Sequence, residues 1–512
     1  MNVKWLRPLQ VWAVAAMVTG GALSADAVTL RWANTGDAVS MDPYYFNETF
    51  TLGFTGNIYD GLVARGKDLK IGPALAVSWT ILDPNTWEFK LRKGVKFHEG
   101  QEFTSADVVF SYHRAISAGS DIKANFVSIA SIEAKDPYTV IIKTKQPDPI
   151  LLADLSFWWI LSKEWCEKNG AMEVADIHHA GVNYATTHAN GTGAYMLVSR
   201  EADVKTVLKK NPDWWGWKSG FGNSNVDQIV FTPIKESGTR VAALLSGSVD
   251  MLYEVPIQDL GRIKAAGGKV FQTAETRTVF LGMDQFRDEL IDSSVKGKNP
   301  LKDRRVRLAL YKAIDEDLIV KQIMKGAAVP ATSFVTKEMA GYDPNFKRFA
   351  YAPDESKKLL AEAGYPKGLR IALHGPNDRY VNDARIIQAV GQMWTRIGVQ
   401  TEVDPLPWSS FVGQANKQAF SAFLFGWGTG TAEASDPLIA QNATFNPAKG
   451  WGAANRGRYS NPALDRLIDQ ALTTTDDAAR ETVLQQAQRV AFDDVQLFRC
   501  ISKRTSGRRV PA

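Results

Sequence analysis

The segment FGWGTGTAEASDP, residues 425–437, is the stretch of this chain best suited to holding a small molecule. Trp427 lies between Gly426 and Gly428, where a backbone without side chains can approach a ligand while the indole stacks on it. Arg379 and Tyr380 fall in the loop PNDRY at the mouth of a predicted helix, a place where a helix N-terminus and a forked guanidinium suit a carboxylate. Trp408, in DPLPWSSF, is placed to close a pocket, although Pro405 and Pro407 fit a structural turn equally well. These are groups for recognition without covalent change. The glycines at 426, 428 and 430 lack dinucleotide-binding spacing, and no glycine loop is followed by a phosphate-binding lysine. The adjacent pair His178 and His179 points apart in any regular element, with only His188 nearby, so no metal site is expected. His98-Glu99 has no second histidine four residues on, and nothing places two carboxylates at the ~5 or ~9 Å of a glycosidase. We expect no catalytic residue, metal or cofactor, and read the chain as not an enzyme.

The elements that must position these groups alternate between strand and helix. Thr139–Lys143 (TVIIK) and Asp227–Phe231 (DQIVF) read as strands, while Val306, Ala309, Leu310, Ala313 and Ile314 keep helical spacing. Ile386, Val390, Met393, Trp394 and Ile397 do the same. That helix runs from the PNDRY loop to Gly398, between predicted strands at 370–373 and 399–403, which makes a strand-helix-strand unit and an α/β architecture.

The 512 residues carry a formal charge of +5. The last sixteen contribute +5 and the first 27 contribute +1, which leaves about −1 on the body and argues against nucleic acid as a partner. Lys4 and Arg7, an apolar run from Leu9 to Leu23, and Ala25-Asp26-Ala27 compose a cleavable signal peptide. The run is short of the ~20 residues needed to span a bilayer, so export to a periplasm without membrane insertion is expected. With only Cys166 and Cys500, no disulfide framework supports the fold. The mature chain of about 485 residues predicts two or three domains of ~100 to 200 residues, interleaved because no linker divides them. Residues 497–512 are basic, carry no acid and lack strand alternation. A shifted reading frame would give VPLHFQKNVWASR, which does alternate, so this end is read as an atypical basic tail arising from a frameshift, the alternative being a genuine disordered tail.

TGDAVSMDPYY (Thr35 to Tyr45), NIYDGLV (Asn57 to Val63), DPNTWEFKLRKGVKFHEGQEFTSADVVFS (Asp83 to Ser111), GTGAYML (Gly191 to Leu197), DRRVRLALYKAID (Asp303 to Asp315) and LLAEAGYPKG (Leu359 to Gly368) together resemble the family 5 extracellular solute-binding proteins of ABC importers. The resemblance runs from about Val28 to Asp494. It implies a two-lobed periplasmic binding protein of the type II, large peptide-binding class, with an extra subdomain on the first lobe and the ligand enclosed between lobes. On that pattern residues 1–27 are the signal peptide, 28–60, 190–285 and 480–496 the first lobe, 61–189 the extra subdomain, 286–479 the second lobe, and 497–512 the tail. Such proteins close with a strand returning to the first lobe, which the shifted-frame peptide resembles.

The resemblance also implies a role: a monomer that captures a small solute, a peptide by expected class, and hands it to ABC permease membrane subunits. In peptide-binding relatives a carboxylate just after a Gly-Trp pair holds the peptide's α-amine, since a buried ammonium needs a paired anion. Gly430 stands about where that aspartate would fall, which leaves Glu433 and Asp436 as replacements. Tyr44, Tyr45 and Asn47 match the region lining the cleft in relatives, and Trp214, Trp215 and Trp217 match an Asn-Pro-aromatic segment that reads as packing. A receptor for an oligosaccharide or a nickel chelate is the second reading, and a secreted hydrolase the third.

Overall fold

The computed structural model describes residues 27–177, 181–253 and 255–507. The signal-peptide segment up to residue 26 and the pair His178 and His179 lie outside them. Among the described residues the longer strands form three sheets. The first has five strands in the order Met251–Leu252, Thr29–Asn34, Gln228–Pro233, Lys205–Lys210, Tyr195–Glu201. Thr29–Asn34 runs parallel to both of its neighbours, so its period of two places Trp32 against one core and Ala33 in another.

Ala76–Asp83, Thr86–Leu91, Thr139–Thr144 and Ile129–Asp136 form a four-stranded antiparallel sheet. Phe89, Leu91, Val140 and Ile142 from this sheet join Phe231 and Leu208 of the first in one continuous core. Those two sheets therefore make one packed body. Inside it Arg114 donates from both terminal nitrogens to the two oxygens of Asp42, a fully buried ion pair. The close approach of Gly191 and Gly193 to Ile58 explains the GTGAY block, because a Cβ at either position would meet the Ile58 carbonyl oxygen within 2.6 Å.

The third sheet has six strands, ordered Ala328–Pro330, Phe498–Gly507, Phe271–Met283, Ala422–Gly428, Leu369–Pro376, Val399–Leu406. Alternation divides its strands between two cores: Val279, Leu281, Ala422 and Leu424 face one, and Phe280, Phe423 and Phe425 face the other. The predicted strand-helix-strand unit is present, with Leu369–Pro376 parallel to Val399–Leu406 and the helix Asp383–Arg396 burying Ile386, Val390 and Trp394 against them. The helix Arg304–Lys312 forms on the expected spacing and buries Val306, Ala309 and Leu310.

Two expectations fail here. Residues 271–283 and 480–496, assigned to the first lobe, belong with the third sheet, because Phe271–Met283 pairs within it and the helix Asp477–Asp493 packs Val483, Leu484 and Ala487 against its aromatic core. Most of the segment read as a basic tail is the strand Phe498–Gly507, paired along Phe271–Met283 from Phe271↔Gly507 to Leu281↔Phe498 and also with Ala328–Pro330. It joins the second lobe, not the first, and it forms from the residues as they stand.

Candidate functional site

Around the strand Ala422–Gly428 the third sheet gathers five of the residues singled out from the sequence. Tyr380 lies over the strand, its hydroxyl accepting from the Gly426 amide at 2.9 Å and donating to the Gly426 carbonyl at 3.3 Å. Gly426 is required for that contact, since a Cβ there would stand 2.9 Å from the tyrosine ring. The loop before the helix is pinned by Asp383, which accepts from the amides of Arg379 and Tyr380 at 2.9 and 2.8 Å. Arg379 is exposed and stacks over Trp408, 5.3 Å from its centroid, and Trp408 packs in turn on Phe425. The bare backbone beside Trp427 thus serves protein packing as well: Gly428 admits the Arg277 guanidinium, which a Cβ would approach to 3.0 Å. Arg277, Arg379, Tyr380 and Met324 line a cavity of about 60 Å³, room for about two waters at the ~30 Å³ each occupies in the liquid, too little for a peptide.

Glu433 and Asp436 emerge as different groups. Glu433 is 8% exposed and takes both terminal nitrogens of Arg480 on its two oxygens, with the Ser435 hydroxyl donating as well. Its charge is already matched inside the protein, so it is not available as the amine acceptor expected of it. Asp436 instead accepts from the Trp427 indole nitrogen and from the Gly430 amide, each at 2.9 Å. These donors are neutral. Burial pushes its carboxyl up to about 6, the hydrogen bonds oppose the rise, and the Glu433 charge adds to it.

Across from this loop the first lobe presents Arg65, Asp148, Asp154 and Phe157. Arg65 donates to the Thr431 carbonyl at 2.7 Å, a hydrogen bond that joins the lobes. Asp154 lies in the helix Leu151–Leu155, whose Leu151, Ala153 and Leu155 are buried. Its carboxyl is pushed well up by burial, and then by the charges of Asp148, Asp436 and Glu433, with Arg65 opposing. Asp148 is shifted upward too, first by burial. The facing surfaces therefore carry Asp148, Asp154 and Asp436 against Arg65, with Glu433 and Arg480 cancelling one another. Such a gap favours a positive group entering it.

Tyr44 and Tyr45 are placed elsewhere. Tyr44 is fully buried beside the Arg114–Asp42 pair, its hydroxyl donating to the Trp159 carbonyl at 2.6 Å, and Tyr45 belongs to the same core. They fill the first lobe because the buried arginine needs an aromatic face and the phenol needs an acceptor. Asn47 is exposed, with its amide donating to Asp121. Trp214 and Trp215 donate their indole nitrogens to the buried Asp60, and Trp217 to the Asn211 carbonyl, in agreement with a packing role. Sequence reading missed Arg65, Asp154, Arg277 and Arg480. Asp154 did leave a trace, as one acid within the apolar run PILLADLSFWWI.

Comparison with known proteins agrees with this architecture. The profile of the bacterial extracellular solute-binding proteins, family 5 (middle), matches residues 70–448. The dipeptide-binding protein of Escherichia coli is 28% identical over 92% of this chain and 89% of its own. A glutathione-binding protein, GsiB, from the same species is 27% identical over 89% and 85%. Among solved structures, the ABC transporter-associated periplasmic binding protein DppA of Helicobacter pylori, in complex with the peptide STSA, superposes with a TM-score of 0.74 at 25% identity, covering 94% of each chain. No helix of the described residues is long and apolar enough to cross a membrane.

Proposed function

The chain belongs to the bacterial extracellular solute-binding proteins of family 5, substrate-binding components of ABC importers, and from that premise we propose that its solute is a peptide or peptide-like molecule with a free amino group. The observation that carries this reading is Asp436: a carboxylate held by an indole and a backbone amide, opposite Asp154, with no basic side chain among the described residues bonded to it. An ammonium group supplies the missing charge, and a charge-assisted hydrogen bond in a partly desolvated gap is among the stronger noncovalent contacts available. Trp427 offers a stacking face beside it. Arg379, exposed at the helix mouth and braced on Trp408 and Tyr380, is suited to the solute's carboxylate end. Closing the lobes over such a zwitterion removes water from both ends and presents one closed surface to the permease. The receptor acts as a monomer in the periplasm after removal of a signal peptide, so the mature protein purified from that compartment should begin at Val28 by mass spectrometry.

Titration calorimetry of the mature protein with tri-alanine and with N-acetyl-tri-alanine tests the reading. We expect micromolar affinity for the free amine, about −8 kcal/mol, and at least a hundredfold loss on acetylation. Equal affinity for the two would sink it, and binding of maltotriose alone would favour the oligosaccharide reading.

A further inference from the structure

The two-stranded ribbon Val63–Arg65 and Ile71–Pro73 belongs to the first lobe, where Val63 is part of the core and Ile71 packs against it. Its turn does not stay there. Leu69, at the tip, packs against the aromatic core of the second lobe, the one that holds Phe280, Phe423 and Phe425. The turn is stiff: the Leu69 amide donates to the Gly66 carbonyl at 3.0 Å, the Gly66 amide to Lys70 at 2.8 Å, and Asp68 accepts from the Lys70 amide. Leu69 sits at φ +64°, a left-handed conformation that a leucine adopts only where its surroundings hold it. Arg65 ties both ends of the contact together. One terminal nitrogen donates to the Leu69 carbonyl at 3.0 Å and the other to Thr431 at 2.7 Å, in the loop that carries Asp436.

We propose that this ribbon is a clasp that holds the lobes shut over a captured solute, with Leu69 and Arg65 as its points of engagement. One guanidinium fixes the left-handed turn that aims Leu69 and at the same time bonds the solute-facing loop. Leu69 can reach the second lobe's core only when the lobes are together, so the clasp adds an apolar contact to the closed state that the open state lacks. Contacts of that kind act on release more than on capture. Arg65 also faces Asp154 and Glu433, which keep it charged against the cost of its burial.

The test is Leu69→Asn, because asparagine accepts the left-handed backbone and removes only the apolar contact. Arg65→Lys is the second variant, keeping the charge near Asp154 and losing the two-pronged bond. Each is studied as the whole mature protein after a thermal melt confirms a fold. We expect tri-alanine to dissociate at least tenfold faster from Leu69→Asn, with its association rate within threefold of wild type, and the solute-free variant to show a larger radius of gyration by small-angle X-ray scattering. Arg65→Lys should shift both in the same direction. Unchanged dissociation and unchanged radius in both variants would overturn the clasp. This inference rests on solute capture between the lobes but not on the solute being a peptide: if wild type ignores tri-alanine, the peptide reading fails while the scattering result still decides the clasp.

Discussion

Glu433 and Asp436 stand three residues apart on one loop and carry the same charge, yet they have opposite circumstances. Glu433 meets Arg480 in a two-pronged pair shielded from water, while Asp436 meets only an indole and a backbone amide. A carboxylate whose charge is balanced internally acts as a strut between elements, here between the loop and the helix Asp477–Asp493. One held by neutral donors retains an unmet charge, and its raised proton affinity records the cost. Proximity to a glycine-tryptophan motif is thus a poor guide to which acid meets a solute. What decides is the identity of the residue opposite, and for Glu433 that residue lies 47 positions on.

The comparison breaks most visibly if the strut is cut. Arg480→Met leaves Glu433 buried without its partner and also removes the bond from Arg480 to the Ala471 carbonyl. We expect a loss of about 3–5 kcal/mol of unfolding free energy in urea, with calorimetric affinity per folded molecule little changed. Asp436→Asn should do the reverse, keeping stability close to wild type while costing about 2–3 kcal/mol of affinity for tri-alanine. If Arg480→Met abolished binding at full stability and Asp436→Asn did not weaken it, the two roles would have to be exchanged.

Acidity separates them further. The Asp436 carboxyl is raised from 3.8 to about 6 in the folded protein. A raised acid contributes stability that is fully present below its unfolded value and lost as pH rises through its folded value, so this group favours folding more at pH 4 than at pH 7. Affinity for an ammonium moves the other way, because the ionised form is the acceptor. Between pH 7.5 and 5 we expect tri-alanine affinity to fall about tenfold, about 1.4 kcal/mol, while the solute-free melting temperature gains a contribution from Asp436. In Asp436→Asn the part of both trends that belongs to this group should vanish.

The fold was legible where local pattern and tertiary role coincide. The helices beginning at Arg304 and Asp383, and the strand Thr139–Thr144, show their period in the sequence because each buries one continuous face. The strand Phe498–Gly507 was hidden by its own irregularity. Its pairing slips between Val279↔Ile501 and Phe280↔Arg499, so the buried Phe498 and Ile501 are three residues apart and the expected alternation disappears. Its partners, near 275 and 329, are also remote in sequence, and the basic residues concealed a central position in the sheet. Among the candidate residues, Arg379 and Tyr380 precede one helix, Trp408 opens another, Trp427 ends a strand and Asp436 follows it in a short turn of helix, and each stood out beside a glycine, a proline or another candidate in the sequence. Tyr44 could not be assigned to the core without Arg114, nor Glu433 to a strut without Arg480, for single positions do not reveal what a fold places across from them.

The smallest change expected is also the sharpest test of how Asp436 is tuned. Trp427→Phe keeps an aromatic face on the strand and deletes the single donor that the indole gives to Asp436. That bond lowers the carboxyl's proton affinity, in opposition to burial, which is the main reason it is raised. Removing the bond should therefore lift the midpoint of the affinity-versus-pH curve above about 6 by roughly half a unit, which corresponds to about 0.7 kcal/mol. Affinity at pH 8, where the carboxylate is ionised in both proteins, should drop by no more than about threefold. Because Glu433 receives no bond from Trp427, a solute held by Glu433 would show no displacement of the midpoint. A parallel loss at every pH would mean that Trp427 matters through its stacking face alone, and Asp436 would then no longer explain the pH dependence.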